Sequence, residues 1–119
     1  MIETKEFLKK VEQTKINEEI VNIVETKCNK ELPEQVKKMI SLSKEPQYGA
    51  EWRTLCLDEI INADKDLEYN FSERDQLPLI DAFDNNYIVF DYNDSLWKIL
   101  NLTEEIDFDE SEKLADLLI

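Results

Sequence analysis

The most constraining stretch of this chain is residues 77–102, LPLIDAFDNNYIVFDYNDSLWKILNL. Three runs rich in strand formers are separated only by Asp84-Asn85-Asn86 and Asn93-Asp94. Asn and Asp tolerate left-handed backbone and hydrogen-bond their own main chain, so such short spacers read as tight turns. Residues 77–83, 87–92 and 95–102 are therefore predicted as the strands of an antiparallel meander. The middle run, Tyr87-Ile88-Val89-Phe90-Asp91-Tyr92, is apolar at both parities and reads as a central strand covered on both faces. Tyr87, Phe90, Tyr92 and Trp97 are expected to pack in the core.

Upstream, the period is helical. Within residues 2–28, Phe7, Leu8 and Val11 form one cluster, and Ile16, Ile20, Ile23, Val24 and Cys28 form another, with a break near residues 15–17. Asn17 is placed to cap the second helix, ahead of Glu18 and Glu19 in its first turn. Leu32-Pro33 opens a third helix with Val36, Met39, Ile40 and Leu42 as its apolar stripe, and Pro46 and Gly49 end it in a loop to Glu51. Residues 52–57 alternate as a strand, 58–61 read as a short helix capped by Asp58, and 62–76 as a polar loop with a helical turn. Asp109-Glu110-Ser111 ahead of Leu114, Leu117, Leu118 and Ile119 suggests a closing helix. Helices first and strands afterwards predict one α+β domain over residues 1–119. Its antiparallel sheet (a meander) is packed on one face by the N-terminal helices, with a short C-terminal helix.

Charge narrows the function. Through Ala50 the chain carries nine Lys and nine Glu, whereas residues 51–119 carry 19 acids against five bases, so the whole formal charge of -14 belongs to the last 69 residues. Such a surface repels nucleic acid and anionic membranes and attracts basic proteins. There is no His, and Cys28 and Cys56 belong to no CxxC pair, which argues against a zinc site and His-based catalysis. With a single Gly, a phosphate-binding loop is not expected either. The two cysteines are expected to be buried thiols. No long apolar run suggests a membrane span, and the N-terminal residues do not read as a secretory leader, so a cytoplasmic protein without cofactor or enzymatic activity is expected.

Two acidic clusters stand out. Asp81, Asp84, Asp91 and Asp94 sit in or beside the predicted turns, where turn chemistry explains much of their presence. Glu104, Glu105, Asp107, Asp109, Glu110 and Glu112 have no comparable local reason beyond a helix start, which makes them the stronger interface candidates. Residues 107–112 lack the glycine and ligand spacing of an EF-hand loop, so calcium is not expected there. Trp52 and Tyr48 border the Pro/Gly loop, and an exposed aromatic there would suit a partner anchor.

The order of elements resembles the SMI1/KNR4 (SUKH) superfamily. The residues that carry the likeness are Leu32-Pro33 opening a helix, residues 52–61 as a strand followed by a short acidic helix, and LPLIDAFDNNYIVFDYNDSLWKIL at 77–100. The likeness covers about residues 16–119; SKEPQYG at 43–49 stands where many members carry a glycine-rich loop. It implies a binding module without catalysis. For bacterial members, it implies an immunity protein that neutralises a cognate polymorphic toxin, often a nuclease. The partner expected here is accordingly a basic toxin domain, met through Asp84, Asp91, Asp94, residues 104–112 and Trp52 by a monomeric protein. A regulatory interaction module of the same fold is the alternative.

Overall fold

In the computed structural model, which describes residues 1–118, the three expected strands pair as consecutive hairpins and gain a neighbour on each side. The strands are β1 (Arg53–Thr54), β2 (Gln76–Asp81), β3 (Asn86–Asp91), β4 (Leu96–Asn101) and β5 (Ile106–Ser111), in that spatial order and all antiparallel. Three helices precede them: α1 (Thr4–Gln13), α2 (Glu18–Cys28) and α3 (Glu34–Ser41). The Asn17 side chain caps α2 by accepting from the Ile20 N–H at 3.2 Å, and Asn29, left-handed at φ 53°, ends it. Pro33 precedes the first residue of α3.

Directly opposed residues share a face of a sheet, and this register sorts the two sides. Ile80, Ile88 and Ile99 form one row, and Leu77, Phe90 and Trp97 a second beside it. That side faces the helices: Leu32 and Pro33 border Phe90, while Trp52, Leu117 and Leu118 border Ile88. Phe7 of α1 lies on Trp52 with ring centroids 4.7 Å apart. Val21, Val24, Ile40, Ile80 and Leu100 are fully buried, and each such side chain contributes about 1.5–3 kcal/mol of transfer free energy. The aromatics Tyr87, Phe90, Tyr92 and Trp97 are all buried, Phe90 and Trp97 on this side and Tyr87 opposite Leu100 on the other.

The opposite side carries Gln76, Val89, Asp91, Lys98 and Leu100. The sheet curls enough for Gln76 of β2 to donate to Asp107 of β5 at 3.1 Å, with two strands between them. Arg53 of β1 reaches Asp81 across the strand pair at 3.8 Å and makes a bidentate pair with Glu59 at 2.9 and 2.8 Å. The Glu59 contact holds the guanidinium strongly protonated and keeps the Glu59 carboxyl below its usual range.

Several local expectations are corrected. β1 is only two residues long: Leu55 still donates to the Leu79 carbonyl of β2 at 2.9 Å, in register with the strand, but a helix begins at Leu57. The short helix α4 (Leu57–Ile61) is capped at Cys56, whose N–H donates to Glu59 at 2.9 Å; Asp58 lies inside the first turn. Residues 62–76 contain α5 (Ala63–Asp66) and a 3-10 turn at Ser72–Arg74. Residues 106–111 form β5, where an approach to a helix was expected; the expected short C-terminal helix is present, as a 3-10 turn at Leu114–Asp116. That turn still buries Leu114, Leu117 and Leu118, while the expectation for Ile119 falls outside the described residues. Cys28 and Cys56 are unpaired and only partly buried. Among the described residues no helix is long and apolar enough to cross a membrane.

Candidate protein-binding surface

The second acidic cluster is built on the last hairpin. The Asn101 carboxamide accepts from the Glu104 N–H at 2.9 Å, and Glu105 is left-handed at φ 57°, which turns the chain into β5. From there Ile106-Asp107-Phe108-Asp109 alternates apolar and acidic residues, the period of a strand with two different faces. Asp109 pairs with Ile99 and Asp107 with Leu100, so Phe108 is the extra residue of a β-bulge.

Glu104, Glu105, Asp109, Glu110 and Glu112 are exposed, and among the described residues none of them lies in an ion pair. The fold therefore leaves their charge uncompensated. Asp107 differs: it is half-buried on the inner curve of the sheet, where both its oxygens accept from Gln76 at 3.1 Å. Glu105 borders a cleft of about 540 Å³ whose wall includes Tyr69 and Arg74. The Arg74 guanidinium covers the Tyr69 ring at 5.4 Å.

The first cluster divides between the two ends of the sheet. Asp84 is exposed in the β2–β3 turn, next to Phe83 and Asn85, and all three are left-handed at φ 53°, 65° and 63° respectively. This turn is tied to the β4–β5 turn: Leu102 donates to the Asn85 carbonyl at 2.9 Å, and the Asn85 side chain donates to Thr103 at 3.0 Å. Asp84 thus shares one end of the meander with Glu104 and Glu105. It also borders a cleft of about 330 Å³ with Trp52, Phe83, Ile88 and Leu117.

Asp91 and Asp94 lie at the other end, where an internal cation occupies them. Lys98 Nζ donates to Asp91 at 2.9 Å and to Asp94 at 3.0 Å. The second Asp91 oxygen accepts the Asn93 and Asp94 N–H groups at 3.0 Å each. Burial pushes the Asp91 carboxyl up, but the Lys98 hydrogen bond and the two backbone donors outweigh it and hold the group below its usual range. Lys98 is desolvated as well, yet its two carboxylates keep it charged beyond the ordinary lysine range. Asp91 is buried, so its expected place at a partner interface is corrected to a structural one; Asp94 remains exposed.

Trp52 is also corrected. It is 2% exposed, packed on Phe7, and its indole N–H donates to Thr4 at 3.3 Å. Gly49 lies flat against that indole, where an added Cβ would meet Trp52 Cε2 at 2.2 Å. The exposed aromatic of that loop is Tyr48. The large apolar side chains that do stand out near the acids are Phe83 (42% exposed), Ile106 (46%) and Phe108 (53%), to which charge counting alone is blind.

Among the described residues no group of three His, Cys, Asp or Glu is arranged to hold a metal ion. The surface presents fixed negative charge, exposed apolar side chains and an unpaired strand edge. Comparison with known proteins finds no matching family model and no significant match to a curated protein or a solved structure.

Proposed function

We propose that this chain is a stoichiometric protein-binding module of SMI1/KNR4 (SUKH) type, acting as an immunity protein that neutralises a cognate basic toxin domain. A nuclease is the partner class whose chemistry fits best, because a cleft that holds a phosphate backbone is itself basic. The observation that carries the reading is the exposed, ion-pair-free run of Glu104, Glu105, Asp109, Glu110 and Glu112 along one sheet edge and turn. A one-signed surface of this kind accelerates encounter with an opposite charge and competes with an anionic substrate for the same cleft. The order of helices, short strand, short helix and meander supports the family resemblance, and the localisation of charge in residues 51–119 supports the sign of the partner.

The test is co-purification of the tagged protein from its native cell at moderate salt, followed by an activity assay on whatever is retained. A basic toxin recovered at one-to-one stoichiometry, and silenced by this protein, is the expected result. Recovery of a housekeeping protein with no toxic activity would replace immunity by a regulatory role.

A further inference from the structure

We propose that the outer edge of β5 is a docking strand, taking an extended basic segment of a protein partner as a sixth strand of the sheet. This rests on the acidic-surface reading above and adds the mode of contact and the chemistry of the segment. β5 pairs with β4 on one side, and among the described residues no backbone group bonds its other side. A strand edge of this kind offers a row of main-chain donors and acceptors to an incoming chain. The Glu110 N–H is held meanwhile by the Asp109 carboxylate at 2.9 Å, a local bond that an incoming carbonyl would replace.

Sheet edges are commonly guarded by charge and by bulges, and β5 carries both. The guard here has one sign. Asp107, Asp109, Glu110 and Glu112 follow one another with no base before Lys113, so two copies of β5 laid edge to edge would oppose like charges. A strand bearing Lys or Arg would meet the same carboxylates favourably. Ile106 and Phe108, exposed between the acids, add apolar area that a solubility guard does not need. Because of the bulge, Asp109 lies on the face of Ile99 and Asp107 and Glu110 on that of Leu100 and Lys98. Both faces of the edge thus present carboxylates, and the complementary segment combines Lys or Arg with β-branched or aromatic residues. Main-chain pairing would supply affinity, and the basic side chains selectivity.

The experiment uses the ¹⁵N-labelled full chain and two synthetic peptides of about ten residues, the upper range of ordinary strands. One alternates Lys and Val; the other keeps the lysines but replaces alternate valines with proline, removing main-chain donors at constant charge. At millimolar concentration the alternating peptide should slow amide exchange on β5 by about tenfold or more, the signature of newly bonded backbone. The proline peptide should not, and Asp109→Lys/Glu110→Lys should abolish the protection while the variant melts like the parent. Equal binding of both peptides without amide protection would overturn strand pairing and leave the acidic-surface reading standing. Slowed exchange that grows with protein concentration alone would identify the occupant as a second copy and overturn the basic segment. If neither peptide perturbs β5 the proposal fails, and toxin co-purification decides the function separately.

Discussion

Replacing Lys98 by Met tests the account of the Asp91–Lys98–Asp94 cluster. The two buried partners are 8% and 10% exposed at their side chains, so water screens them little. Deleting one member of a buried pair typically costs about 3–5 kcal/mol, because the remaining charge is stranded. Asp91 keeps two backbone donors at 3.0 Å, which places the expected loss at the low end, about 3 kcal/mol. For a chain of this length that corresponds to roughly 10–15 °C in Tm. The pH dependence makes the attribution specific. The folded Asp91 carboxyl titrates below its unfolded value of about 3.9, so its stabilisation is complete above that value and is lost as pH falls through the folded one. The Lys98→Met variant lacks this contribution. The difference between parent and variant in urea unfolding, largest at pH 7, should therefore shrink steadily as pH falls below about 3.9. A variant within about 0.5 kcal/mol of the parent at pH 7, or a gap unchanged by acid, would refute the reasoning.

Three further outcomes follow from the geometry. Gly49→Ala drives a Cβ into the Trp52 indole and should destabilise the fold by about 1–3 kcal/mol; an unchanged melting temperature would contradict that close approach. Phe83→Gly removes a half-exposed ring from a left-handed position at φ 65°. It should stabilise by about 0.5 kcal/mol, since relief of roughly 1–2 kcal/mol of backbone strain exceeds the entropic cost of glycine and the packing of the ring. A decrease in stability above about 1 kcal/mol would mean that ring packing dominates. Glu104→Lys/Glu110→Lys/Glu112→Lys touches no ion pair of the fold and should alter stability by less than about 0.5 kcal/mol. The same triple variant should slow association with a basic partner and flatten its salt dependence, and stopped-flow rates equal to the parent's would remove this surface from the interface.

The meander is legible in the sequence because Asp84-Asn85-Asn86 and Asn93-Asp94 favour turns, and because residues 87–92 are apolar on both faces. The fifth strand is harder to read, although Ile106-Asp107-Phe108-Asp109 alternates strictly. Its acids stand out as a charge run, and the bulge at Phe108 puts Asp107 and Asp109 on opposite faces despite that pattern. Trp52 has the sequence neighbourhood of an exposed loop because Pro46 and Gly49 precede it. The glycine is in fact what lets the backbone lie against a buried indole. The acidic turns look equivalent in sequence, whereas only the fold reveals that Lys98 reaches back to Asp91 and Asp94 while Asp84 joins Glu104 and Glu105. Local patterning reports turns and faces; it does not report which side chain of one hairpin meets which of the next.

The two tryptophans occupy different joints of this architecture. Trp52 bridges the edge of the sheet to α1 through Phe7, while Trp97 meets Phe90 across the β3–β4 pair with centroids 5.2 Å apart. The chain therefore carries its own pair of fluorescent reporters for folding, one for docking of the helical layer and one for closure of a central hairpin. The Phe90–Trp97 contact spans few residues, whereas Phe7 and Trp52 are far apart along the chain, and contacts of short separation cost less loop-closure entropy. In single-tryptophan versions, the Trp97 signal should lead wherever refolding resolves into steps, and the two should coincide wherever the transition is two-state. The β3–β4 hairpin thus closes a far shorter loop than the contact that joins α1 to the edge of the sheet.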